Sequence, residues 1–312
     1  MIAVYTKRAS ETNLEKALEP VPGAWINVTD PSDAEIERLQ RVLGVSKDFI
    51  TYPLDLNEMP RTQRESGALL IVLRVPYYQG EAADVPYITV PLGVILTDQY
   101  VVTVCRAETN VIEEVISGRA RGLSTVKHNR FVLQLLLITA HRFLSNVRKI
   151  NRAVDRLEER LQHSLGNREL LEMLKYQKSL VYFATALKSS ELMLRQLQRS
   201  QLFYQYEEDR DLLDDVVTEV QQGIEMTTIA SGILTGTMDA YASIISNNVN
   251  SVMKIIASMT IVLNLPVIVS GFYGMNVPLP FQDEPWMFWA LLILAVSACA
   301  LTLIWLWRRD WL

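Results

Sequence analysis

The clearest chemical pattern in this chain is a set of polar groups placed where the sequence is otherwise almost purely apolar. On a helix turning about 100° per residue, Asn250, Met253, Ala257, Thr260, Asn264, Val267 and Gly271 fall on one face, flanked by Ile, Val, Leu and Met. The same face continues backwards through Ser246, Ser243, Asp239, Thr235, Thr228 and Glu225. Directly after it comes "GFYGMNVPLP" (Gly271 to Pro280), a stretch with no charge and many carbonyl oxygens. Amide, hydroxyl and peptide oxygens accept hydrogen bonds and perform no covalent chemistry alone. Such a face can join helices through hydrogen bonds, or it can line a path filled with water. A face that is polar along its whole length fits the second use better. One face per chain cannot enclose a path, so several copies must surround an axis.

Other chemistries have little support. His128, His141 and His163 lie on predicted helices, without metal-ligand spacing and without companion cysteines. No phosphate-binding glycine loop or nucleophile elbow occurs, and "DLNEMPR" (Asp55 to Arg61) reads as a solvated turn. Cys105 and Cys299 read as separate buried thiols. With a net charge of −5 and 21% charged residues, nothing points to nucleic acid. The chain reads as no enzyme.

The elements that carry the polar face are long and apolar. Val252 to Trp307 contains one Lys, one Asp and one Glu. Within it Val252–Phe272 (21 residues) and Trp286–Trp307 (22 residues) each have the length of a membrane-crossing helix. Trp286 and Trp289 open the second run, and Trp305, Trp307 and Trp311 end it, as at two water–lipid interfaces. From Trp286 to Trp305 a helix climbs about 29 Å, the thickness of the hydrocarbon. Lys254, Arg308 and Arg309 flank one side, whereas the connecting loop carries only Asp283 and Glu284. The positive-inside rule then places both termini in the cytoplasm and the loop outside. The first 20 residues hold no apolar core of signal-peptide length.

Before the membrane the pattern is α/β and then helical. "WINV", "GALLIVLRVPYY", "YITVPLGVILT" and "YVVTVCR" read as strands, and "DPSDAEIERLQRVLG" as a capped helix. Long helices follow over about 127–163 and 168–201, separated by "SLGN", and a third over about 208–271 would reach roughly 95 Å. The expected organisation is a cytosolic α/β domain (1–124), a helical hairpin (125–206) and a stalk helix (207–273) that becomes the first span near 252–272. A loop (274–285), a second span (286–307) and a short cytosolic tail (308–312) complete it.

"YGMN" (Tyr273 to Asn276), at the outer end of the first of two C-terminal spans and after a long helix containing "SNNVNSVMK", resembles the CorA magnesium-transport family. The resemblance covers nearly the whole order of parts. It implies a homopentameric, funnel-shaped channel in the cell membrane, with an α+β cytosolic domain, long helices and two C-terminal transmembrane helices. Carried over by motif, Gly274, Met275 and Asn276 form the outer selectivity ring, and Asn250 and Met253 fall at the inner constriction. The expected cargo is hydrated Mg²⁺, moved passively by the membrane potential, with Co²⁺ or Ni²⁺ as further cargo. Cytosolic Mg²⁺ is expected to close the channel between subunits. Asp214 and Asp215 are candidate sensing ligands, with Gln79, Glu81 and Asp84 near the opposing strand position and Asp239 as another candidate.

Mg²⁺ releases its six waters reluctantly, so neutral oxygens that accept hydrogen bonds from those waters suit capture and release. Asp283 and Glu284 would concentrate cations near the mouth. Three departures from the family pattern stand out. Asn264 occupies a position that is often apolar, with the proline shifted to Pro266; the outer loop is "VPLPFQDEPW" and lacks "MPEL"; the tail "RRDWL" is less basic. They leave room for a Zn²⁺ or broad divalent transporter of the ZntB-like branch. A membrane-anchored sensor that transports nothing is the alternative of another class, and it has no use for the polar face.

Overall fold

The computed structural model describes residues 1–7, 14–65, 67–118, 123–163, 167–204, 206–281, 284–309 and 311. They form two compact units, Met1–Gly236 and Thr237–Leu312, with the division inside one helix.

The first unit opens with a mixed sheet. Its strands are β1 (Ile2–Thr6), β2 (Glu15–Ala17), β3 (Ala24–Thr29), β4 (Arg61–Glu65), β5 (Ala68–Tyr78), β6 (Tyr87–Leu96) and β7 (Tyr100–Cys105), in the order β2-β1-β3-β7-β6-β5-β4. Only the β3–β7 pair is parallel. The four apolar strands expected from the sequence are present. The edge strands β2 and β4 are polar (EKA and RTQRE) and give no such signal.

Helix α1 (Asp33–Leu43) starts at a capping box, in which the Ser32 hydroxyl accepts from the Glu35 N–H and the Glu35 carboxylate accepts from the Ser32 N–H. Gly44 ends it at φ 66°, where a side chain would be strained. One sheet face, α1 and α2 (Lys47–Thr51) share a core of Ile26, Val28, Leu39, Phe49, Leu70 and Val104. The "DLNEMPR" turn is structural. The half-buried Arg74 guanidinium donates to the carbonyls of Leu56 and Glu58, and Arg61 pairs with Glu58 at 2.8 Å.

Three further helices complete the first unit: α3 (Asn110–Ile116), α4 (His128–His163) and α5 (Asn167–Ser200). Helix α6 (Glu207–Tyr273) begins here as well. Its Leu213, Val216, Val220, Gly223, Thr227, Ala230 and Leu234 alternate spacings of three and four and are all buried, a coiled-coil-like seam. Gly223 gives close approach to Leu187 of α5; a Cβ there would sit 3.3 Å from its Cδ1. Beside the seam Gln198 donates to Asp214 (2.9 Å), Gln221 to Glu191 (3.0 Å), and Gln177 to Ser231 and Thr235 (2.9 and 3.0 Å).

The first turns of α4 and α6 are held together by charge. Arg130 donates to Glu208 (2.5 Å) and to the buried Asp209 (2.8 Å). One guanidinium thus ties both acids to the start of α4. Lys127 and Arg130 place positive charge at the start of α4, against the helix dipole, and the acids of α6 offset it.

The second unit contains the outer part of α6 and helix α7 (Trp286–Arg308). Both are long and apolar enough to cross a bilayer, and only 6% of the most apolar 18-residue stretch of each is buried within the chain. That exposure is the opposite of a soluble core helix.

His128 beside the Arg130 clasp has a buried Nε2 without a partner, and burial holds its pKa below the usual 6.5. The folded state thus disfavours the proton. This contribution to stability is complete above pH 6.5 and is lost as the pH falls below it. The melting temperature should fall more between about pH 7.5 and about pH 5.5 in the unsubstituted protein than in His128→Gln. Parallel falls in the two proteins would contradict this.

Candidate functional site

The polar residues of the outer α6 acquire their meaning from the face that α7 takes. In the second unit Ser258 is buried, and Val262, Leu265, Val269 and Tyr273 are half-buried. Opposite them on α7, Ala295 and Leu306 are buried and Ala298, Cys299 and Thr302 half-buried. On the helical wheel the face centred on Ser258, Val262, Leu265 and Val269 lies about 140° from the centre of the polar face.

The polar face is therefore left free of α7. Asn250, Met253, Thr260, Asn264, Val267 and Gly271 are exposed, and Ala257 is half-buried. Two of its polar groups bond locally: the Thr260 hydroxyl donates to the Ile256 carbonyl (2.8 Å) and the Asn264 amide to the Thr260 carbonyl (2.9 Å). The Asn264 Oδ1 stays available as an acceptor. On the continuation of the face towards the start of α6, Asp239, Ser243, Ser246, Thr228 and Glu225 are exposed, whereas Thr235 is engaged by Gln177.

At the end of α6 the chain turns tightly. The Gly274 N–H donates to the Ser270 carbonyl (2.8 Å), and the Tyr273 phenol donates to the Pro280 carbonyl (2.7 Å), folding the loop back. Gly274 sits close to the preceding turn, and a Cβ there would meet the Ser270 oxygen at 3.1 Å. Gly271 is an ordinary helical residue in open space, so its glycine character serves no special backbone geometry. Met275 and Asn276 are exposed, and Asn276 makes no hydrogen bond to the described residues. Glu284 is exposed just before α7, while Asp283 lies outside the described residues. Sequence reasoning passed over the Tyr273–Pro280 tie, although a tyrosine seven residues before a proline in a loop gives little signal.

The candidate sensing residues are not brought together within one chain. Asp84 pairs with Lys178 (3.3 Å) and Asp214 accepts from Gln198 (2.9 Å). Lys178 and Gln198 lie about 30 Å apart along α5, too far for one ion to bridge the acids. Gln79, Glu81 and Asp215 are exposed, and Asp215, Asp239 and Glu81 make no hydrogen bond or ion pair with the described residues. No group of three or more His, Cys, Asp or Glu side chains that could hold a metal occurs among the described residues.

Asn250, Asn264, Met259 and Leu263 are all exposed in the single chain, so reactivity differences between them report what surrounds the helix. Cysteines at Asn250 and Asn264 should react with water-soluble thiol reagents in membranes, and cysteines at Met259 and Leu263 should not. Equal labelling at all four positions would refute a watery polar face.

Comparison with known proteins places the chain among its relatives. The first relative, the cobalt/magnesium transport protein CorA of Methanocaldococcus jannaschii, is 27% identical over 296 residues, covering 92% of this chain and 90% of the relative. A second, the protein of that name from Thermotoga maritima, is 22% identical over 92% of this chain and 83% of its own length. The complete structure of the CorA magnesium transporter from Methanocaldococcus jannaschii superposes with a TM-score of 0.83 and 23% identity, covering 100% of this chain and 99% of that one. The family of CorA-like Mg²⁺ transporter proteins matches residues 23–309. The chain belongs to that family, whose members are transporters and not enzymes.

Proposed function

We propose that this protein is a Mg²⁺ channel, in which five copies surround an axis and the polar faces of their α6 helices line the path. The observation that carries this reading is the division of the outer α6 into two faces. The α7 helix takes one, and on the polar face about 140° away every side chain but that of the half-buried Ala257 is exposed. Uncompensated amides and hydroxyls are costly against lipid. Around a common axis they meet water and ions. The number five rests on the family.

In this reading the ion enters at the rings of Gly274, Met275 and Asn276. The free Asn276 amide oxygens and nearby backbone carbonyls accept hydrogen bonds from the waters of hydrated Mg²⁺. Glu284 and Asp283 add negative potential there. The ion then passes Gly271, Val267, Asn264, Thr260, Ala257, Met253 and Asn250 towards the cytoplasm, driven by the membrane potential. Both termini lie on that side of the cell membrane. The path accepts Co²⁺ or Ni²⁺ as other hydrated divalent ions of similar charge. Cytosolic Mg²⁺ closes the channel by joining Asp214 and Asp215 of one copy to the Glu81–Asp84 turn of the next, since one chain keeps these groups apart.

Replacing Asn276 tests the filter. A hydrogen bond to a charged centre contributes about 1.5–3 kcal/mol, and Asn276→Ala removes one acceptor from every copy at once. Mg²⁺ uptake into proteoliposomes should be nearly abolished in Asn276→Ala and altered in selectivity in Asn276→Asp, with assembly intact in both. Normal uptake by a well-assembled Asn276→Ala protein would sink the filter assignment. In the same assay, replacing Asp214 and Asp215 together by Asn should leave uptake less sensitive to Mg²⁺ on the cytosolic side. Unchanged inhibition would place the sensor elsewhere.

A further inference from the structure

Pro266 interrupts the hydrogen-bond ladder of α6 within its apolar span. Proline has no N–H, so the carbonyl four residues earlier, that of Val262, loses its helical donor. In hydrocarbon no water replaces it. The thiol of Cys299 on α7 donates to that carbonyl, with Sγ 3.5 Å from the oxygen. A thiol is a weak donor, but it reaches the one carbonyl that Pro266 frees. Among the described residues no other hydrogen bond joins α6 to α7 in this unit. Even Ser258, fully buried near the contact, has an unpartnered hydroxyl. The thiol contact is therefore specific to the proline and is no part of a general polar seam.

A proline inside a helix favours a bend, and its direction matters here. Pro266 lies about 150° around the helix from the centre of the polar face. A helix bends at a proline away from the ring, because the ring clashes with the preceding turn. The bend thus moves the outer end of α6 in nearly the plane that contains the polar face. Val267, Gly271 and the Gly274–Asn276 turn shift towards or away from whatever that face lines. A contact that holds the freed carbonyl sets how far.

We propose that Cys299 is a positioning residue for the ion path: its thiol clips the Val262 carbonyl freed by Pro266 and fixes the bend of α6 below the signature loop. The effect on ions rests on the channel reading, whereas the clip itself does not. The test is a double-mutant cycle in the full-length, assembled protein, with Cys299→Ala and Cys299→Ser made alone and together with Pro266→Ala. Melting temperature and the ratio of Mg²⁺ to Co²⁺ uptake rates in proteoliposomes are measured for each.

Cys299→Ala should lower the melting temperature and shift the uptake ratio by about three- to tenfold, the scale of one modest hydrogen bond. Cys299→Ser, which keeps a donor, should restore both. Pro266→Ala returns an N–H to the Val262 carbonyl, so adding Cys299→Ala to it should change neither quantity. An equal loss from Cys299→Ala in both backgrounds, or a Cys299→Ser protein that behaves as Cys299→Ala, would overturn the clip. A melting cycle as described with an unchanged uptake ratio would overturn the positioning role. If the unsubstituted protein moves no ions at all, the channel reading fails and the positioning role with it, while the melting cycle still decides the clip.

Discussion

Polar groups cannot be left bare in hydrocarbon, and the outer α6 carries more of them than its own chain satisfies. Helix α7 covers the side with Ser258, Val262, Leu265 and Val269, and Cys299 caps the carbonyl opened by Pro266. Thr260 and Asn264 bond back to their own helix, which leaves acceptor capacity unused. The rest of the face is exposed among the described residues. Lipid is the costly surrounding for it and water the favourable one. In the proposed channel, several copies arranged around water would relieve that imbalance.

The first unit solves a different problem with the same helix. The seam from Leu213 to Leu234 buries α6 against the neighbouring helices, and Arg130 fixes its start through Glu208 and Asp209. Burial there stabilises a soluble assembly of helices by the hydrophobic effect. In the second unit such burial is nearly absent. A single element thus changes its packing rule along its length, from apolar seam inwards to apolar surface outwards. The polar face is the side that neither rule uses.

Much of this was legible in the residues. The apolar strands, the capped helix α1, the hairpin of α4 and α5 and both membrane helices announce themselves by periodicity, length and caps. The candidate filter rested on Gly-Met-Asn in its place after a long helix, and the polar face on spacing alone. The polar strands β2 and β4 were silent because edge strands keep charged residues. Pairings distant in sequence, such as Arg130 with Glu208 and Cys299 with Val262, leave no local pattern.

The central claim is that the free face of α6 surrounds a shared watery axis. Electron microscopy of the full-length protein in lipid nanodiscs tests it most directly. The account predicts five α6 helices in an inner ring with Asn250, Thr260 and Asn264 turned to the axis and α7 outside them. An assembly with α7 lining the axis, or with Asn264 turned to lipid, would contradict it.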